Sequence, residues 1–128
     1  MSDDEGVIRG FFAAYSNRDV DATLGLVADD VEFWPKIQML LMGREEPYRG
    51  HDGIRDYFKD LDSTFEHVEL EIQSVRAVAG GAFVFYASRG KPVGRNPYEV
   101  PVTMTVRLRD GLVVYARSVA TLEELDGD

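Results

Sequence analysis

The hydrophobic period of this chain changes once, near Phe65, and no other feature constrains the fold as tightly. Before that point apolar residues recur at helical spacing. Ile8, Phe11, Phe12 and Tyr15 make one stripe, and Ile54, Tyr57, Phe58, Leu61 and Phe65 make another. After it they alternate: Val68, Leu70 and Ile72 are interleaved with His67, Glu69, Glu71 and Gln73, as in a strand with one wet face. Gly80-Gly81 turns the chain into AFVFYASR, apolar on both faces, and the loop GKPVGRNP leads to EVPVTMTVRLR. Asp110-Gly111 is then a hairpin turn into LVVYARSVAT. Helices come first and strands afterwards, which predicts an α+β fold with an antiparallel sheet segregated from the helices.

The first half carries its own punctuation. Ser2 and Glu5 have capping-box spacing ahead of the first stripe. Asp19 caps a second helix bearing Val20, Leu24 and Val27, closed by Asp29 and Asp30, and VEFW follows as a short strand. Asp52 is the N-cap expected for the third helix. Residues 34–43, WPKIQMLLMG, fit neither pattern. Proline and glycine bound the segment, so it reads as a connection, yet Ile37, Met39, Leu40, Leu41 and Met42 are large and apolar. Connections normally stay polar, and burying one such side chain is worth ~1.5–3 kcal/mol, so the run must be held down somewhere.

Composition removes several function classes. A chain of 128 residues has the length of one domain, here residues 1–128. With 23 acidic against 14 basic residues its net charge of −9 repels phosphate backbones and anionic membranes, so neither nucleic acid nor membrane is expected as a partner. The absence of cysteine rules out disulfides, thiolate metal sites and cysteine nucleophiles. His67, Glu69 and Glu71 project in parallel from one strand face, whereas metal ligands converge, and His51 sits beside a helix cap. No glycine-rich phosphate loop precedes a helix, so no metal, nucleotide or other cofactor is expected. The acidic start MSDDEG is unlike a secretory signal, and no apolar run reaches bilayer length; the expected location is the cytoplasm.

Three stretches carry a family resemblance. FFAAYSNRDVDATLGLVADDVEF resembles the opening of the SnoaL-like proteins of the NTF2-like superfamily, relatives of ketosteroid isomerase. YRGHDGIRDYF resembles the glycine-flanked entry to that family's third helix, and RLRDGLVVYAR its final hairpin. The resemblance implies an NTF2-like cone: a bent antiparallel sheet wrapped around three helices, with an internal pocket and often a dimer through the outer sheet face. It also implies a range of activities, from isomerases and polyketide cyclases to proteins without catalysis.

Ketosteroid isomerase, a worked case of tuned carboxyl groups, needs a carboxylate base and an oxyanion hole of a tyrosine and a protonated acid. The resemblance places those roles at Phe11, Pro35 and Met104, none of which exchanges a proton. Steroid-isomerase chemistry is therefore excluded. Glu32 alternates with Val31 and Phe33 and points away from the pocket.

The candidate site is a lining for a small hydrophobic molecule. Phe11, Tyr15, Phe33, Met39, Leu40, Tyr57, Met104 and Ser118 are its expected members, with Arg89 near the mouth, where it meets a ligand carboxylate or a neighbouring acid. This reading has Phe83, Phe85 and Ala87 facing inward. It has Val84, Tyr86, Thr103, Thr105, Val113, Tyr115 and Val119 facing outward as a homodimer surface. The apolar run at 37–42 then covers the pocket or extends that interface. Three functions stay open: an isomerase, cyclase or hydratase acting on a small apolar compound, a non-catalytic binding module, and a structural dimer with a self-filled cone.

Overall fold

The computed structural model describes residues 4–119; Ser2 of the expected capping box and the last residues of the expected final strand lie outside them. Along the chain come α1 (Asp4–Ser16), α2 (Val20–Leu24), β1 (Val27–Trp34), α3 (Lys36–Met42), β2 (Tyr48–Arg49) and α4 (Gly50–Thr64). Four longer strands follow: β3 (Phe65–Val78), β4 (Gly81–Pro92), β5 (Tyr98–Arg109) and β6 (Leu112–Val119). The change of period falls at the α4–β3 junction. The strands form one bent sheet in the order β2-β1-β6-β5-β4-β3, with α1 and α4 packed against it. None of the described helices is long and apolar enough to cross a membrane.

The α+β class is as expected, and four details differ. The sheet is mixed, because β1 pairs in parallel with β6. No hairpin joins these two strands, and the two helices and four strands between them form the long crossover that a parallel pair needs. The second helix ends at Leu24, so Val27 to Asp30 belong to β1. Asp19 caps it as expected, accepting from the Ala22 N–H at 3.1 Å. Asp30 is held instead by Arg109 on β5, through contacts of 2.6 and 3.2 Å. Helix α4 is entered from Arg49 rather than Asp52, which lies in the first turn and pairs with Arg55 at 2.9 Å. The left-handed Gly50 (φ +70°) swings the chain from β2 into α4.

The apolar segment is not a connection but a helix. Pro35 is the N-cap of α3 and Gly43, at φ +72°, its left-handed C-cap; Gly43 N–H donates to Leu40 O and Arg44 N–H to Met39 O. Proline and glycine here start and stop a helix, as their backbone preferences favour. A helix of this length spreads its side chains around the axis. Ile37 and Met39 enter the core, Leu40 and Leu41 are half-buried, and Met42 is exposed.

The face assignment on β4 is reversed. Val84, Tyr86 and Ser88 point inward, whereas Phe83 is exposed and Phe85 half-buried on the outer face. Register explains it: Val84 pairs with Met104, Tyr86 with Val102 and Ser88 with Val100, and directly paired residues share a face of the sheet. Val113 also turns inward, fully buried, because a bulge opposite Arg107 and Leu108 changes the parity along β6. Thr103, Thr105, Tyr115 and Val119 stay outward.

Candidate functional site

The helices reach the concave side of the sheet through aromatic rings. Phe33 on β1 meets Phe11 and Tyr15 of α1 at 5.9 and 5.8 Å and Tyr57 of α4 at 4.9 Å between ring centroids. Phe12 reaches across to Tyr86 on β4 at 5.1 Å. Edge-to-face contacts of this kind fix ring orientation as well as burying area. They point the tyrosine rings from three sides toward one space.

That space is a cavity of about 40 Å³ between α1, α3, α4 and the sheet. By the same measure a water molecule needs about 10–15 Å³, so it holds about three waters, and a ring-sized compound has to part the walls. Pro35, Ile37, Leu61, Phe65, Val68, Leu70 and Met104 give it an apolar surface. The polar lining consists of Tyr15, Ser16, Gln38, Tyr57, Tyr86, Ser88, Tyr98 and Ser118. No acidic, basic or histidine side chain is among these residues.

The hydroxyls form short strings. Ser88 and Tyr98 share a hydrogen bond of 3.1 Å. The Tyr86 hydroxyl interacts with those of Tyr15 and Ser118. Ser118 Oγ accepts the Lys36 N–H at 2.8 Å and lies 3.2 Å from Trp34 O, so a strand side chain caps the start of α3. Among the described residues the Tyr57 hydroxyl has no side-chain hydrogen-bond partner.

Burial, the largest cause in each case, pushes the hydroxyls of Tyr15, Tyr57 and Tyr86 well above the ordinary tyrosine range; for Tyr15 and Tyr57 the neighbouring tyrosines add to it. At neutral pH these groups donate hydrogen bonds and do not act as bases.

A second network stands behind the wall. Tyr48 is fully buried, and its hydroxyl donates to Asp60 Oδ2 at 2.7 Å. Burial first, then the Asp60 carboxylate, raises the Tyr48 pKa. Gln38 Nε2 donates to the Tyr48 hydroxyl at 3.1 Å and to Tyr57 O at 3.3 Å. Arg44 lies 3.9 Å over the Tyr48 ring.

Of the residues expected in the site, Tyr15, Tyr57, Met104 and Ser118 line the cavity. Phe11 and Phe33 are core residues stacked behind Tyr15 and Tyr57. Met39 is buried but not part of the lining, and Leu40 is half-buried on another side of α3. Arg89 is on the outer face, bonded to Glu71 at 3.1 Å and Glu99 at 3.4 Å, as the parity of β4 requires. Glu32 accepts from Trp34 Nε1 at 2.6 Å, outside the lining. His51 lies 3.1 Å from Val27 O, and His67 is exposed.

Tyr86, Ser88, Tyr98 and Gln38 were not anticipated. The first two depended on the parity of a strand that is apolar on both faces, and Tyr98 on where β5 begins. Gln38 did leave a trace, as the one polar residue inside the run IQMLLM.

Comparison with known proteins agrees with this architecture. An NTF2-like protein of unknown function from Burkholderia pseudomallei superposes with a TM-score of 0.86 at 19% identity, covering 98% of this chain and 95% of its own. TerC, crystallised with polyporic acid, gives 0.84 at 17% identity, covering 94% and 93% of the two chains. IdmH from Streptomyces antibioticus, proposed to be a polyketide cyclase, gives 0.76 at 19% identity, covering 98% and 97%. No curated protein matches significantly in sequence. At these identities the superpositions establish the fold alone. The sequence profile of the SnoaL-like domain, however, matches residues 8–116. The chain therefore belongs to the SnoaL-like domain family.

Proposed function

We propose that this protein binds a small, mainly apolar compound in the cavity and holds an oxygen of that compound with tyrosine hydroxyls. The observation that carries the reading is the lining itself: apolar walls, a set of hydroxyls and one amide, and, among the described residues, no charged group. Such a surface takes an uncharged molecule with few polar atoms. Solved structures of the same fold hold TerC with polyporic acid and, from Catenulispora acidiphila, a protein of ketosteroid isomerase-like fold with trimethylamine. Met104, an unbranched side chain in the wall, is the one best suited to make room for a ring.

Thermal shift and calorimetry against a panel of phenols and cyclic ketones test this. A ligand present at about 100 times its Kd adds about 2.7 kcal/mol of stability, an easily read rise in Tm. Failure of the whole panel to raise Tm at millimolar concentration rejects the binding reading.

A second reading, catalysis, draws on the Tyr15–Tyr86–Ser118 string. Hydroxyls held in place near one another can donate to an enolate oxygen as charge develops on it, the logic of an oxyanion hole. IdmH and SalBIII, an epoxide hydrolase/cyclase-like enzyme acting in pyran ring formation, have this fold. The described residues of the wall include no carboxylate or histidine and so supply the acid side of such a reaction and not the base, which makes binding the better-supported function.

Homodimerisation belongs to the same proposal. The outer face presents Phe83, Phe85, Thr103, Thr105 and Val119 on adjacent strands, with Arg117 stacked 4.6 Å over Trp34 beside them. Val119, 63% exposed, lies opposite Thr103. That patch is the surface a second copy would cover.

A further inference from the structure

One polar atom of a lining residue is left over. Gln38 is 97% buried (relative exposure 3%) and lines the cavity, and its Oε1 is buried without a hydrogen-bond donor among the described residues. A flipped amide does not relieve this. The Tyr48 hydroxyl donates its hydrogen to Asp60, so the Tyr48 oxygen accepts from Gln38, and the carbonyl of Tyr57 accepts as well. Both neighbours require the Nε2 side where it is, and Oε1 is fixed as the free acceptor. A buried acceptor without a donor is unfavourable; a methionine at this place would carry no such acceptor, although the two bonds made by Nε2 would be lost with it.

We propose that Gln38 Oε1 is the specificity-determining acceptor of the cavity, selecting ligands that present a hydroxyl or N–H donor toward α3. This deepens the binding reading above and rests on it. The tyrosines supply donors for a ligand's oxygen; Gln38 supplies the complementary acceptor. The preferred class is then a small ring compound carrying a free O–H or N–H, such as a phenol or an enol, over its capped ether. Oε1 exposes almost no surface even to the cavity. A donor therefore reaches it only as the ligand parts the surrounding wall, with Nε2 keeping its bonds to Tyr48 and Tyr57.

The test compares phenol with anisole, its methyl ether, on the full chain and on Gln38→Met, by calorimetry. The expected result is that the variant weakens phenol about tenfold and leaves anisole within about twofold. Equal losses for both probes would assign Gln38 to packing, and unchanged phenol affinity would remove it from recognition; either overturns the proposal while the cavity reading stands. If the native chain binds neither probe, this proposal fails, while the cavity reading falls only with the whole panel. Should Gln38→Met not fold, the side-chain amide resonances of Gln38 in the native chain decide. Movement with phenol and not with anisole supports the proposal, and the same response to both, or none, overturns it.

Discussion

Replacing Met39 by alanine removes a side chain that is 1% exposed, from a helix too short to be stable alone. Truncating a buried methionine costs about 2–5 kcal/mol, the cavity left behind included. Globular chains unfold with an entropy of about 2.1 cal/mol/K per residue, or about 0.27 kcal/mol/K for this length. A loss of about 3 kcal/mol therefore lowers Tm by about 11 °C. Leu40 is its neighbour and an equally greasy residue, but it is half-buried. Leu40→Ala accordingly costs about 1–1.5 kcal/mol, or about 4–6 °C. Thermal scans read both, and urea titrations with unchanged slope would confirm that the denatured state is not the cause. The ratio between the two variants carries the information. If Leu40→Ala lowers Tm as much as Met39→Ala, or if Met39→Ala shifts it by less than about 3 °C, the assignment of the α3 core face is refuted.

Gly81→Ala places a Cβ 1.9 Å from Val106 O, so the β4–β5 ladder has to shift; a loss of about 3 kcal/mol is expected in denaturant titration. At Gly80 nothing lies within 4 Å and only the positive φ is strained, so Gly80→Ala costs about 1 kcal/mol, and a reversed order would contradict the turn geometry. Buried Tyr15, Tyr57 and Tyr86 keep their protons to higher pH when folded than when unfolded. Their contribution is fully present below the ordinary tyrosine pKa of 10.0 and is lost as pH rises from there toward the folded values. The urea midpoint then falls between about pH 9 and 11, whereas a flat midpoint would mean that the rings are solvated. Sedimentation equilibrium is expected to give a dimer at micromolar concentration and a monomer for Phe83→Glu with Val119→Glu; a monomeric native chain would reject the outer-face interface.

How far the sequence reaches depends on whether a segment has one wet side. The stripes Ile8–Tyr15 and Ile54–Phe65, the alternation from Val68 to Ile72, the Asp19 cap and the Asp110-Gly111 turn (φ 54° and 77°) were legible, because solvent on one side leaves a period or a positive φ selects a residue. Tyr15 and Tyr57 came to the cavity from the helical stripes, and Met104 and Ser118 from the family resemblance at the final hairpin.

Strand β4 has no wet side in its sequence, so its two faces were indistinguishable until the pairing of Val84 with Met104 set them. That one parity moved Tyr86 and Ser88 into the site and took Arg89 out of it to Glu71 and Glu99. The parallel pairing of β1 with β6, and the Tyr48–Asp60–Gln38 network that isolates one carbonyl oxygen, join residues remote in the chain. Local preferences act over a few residues, while register, parity and the fate of a buried polar atom are settled only when distant segments compete for the same hydrogen bonds and the same core.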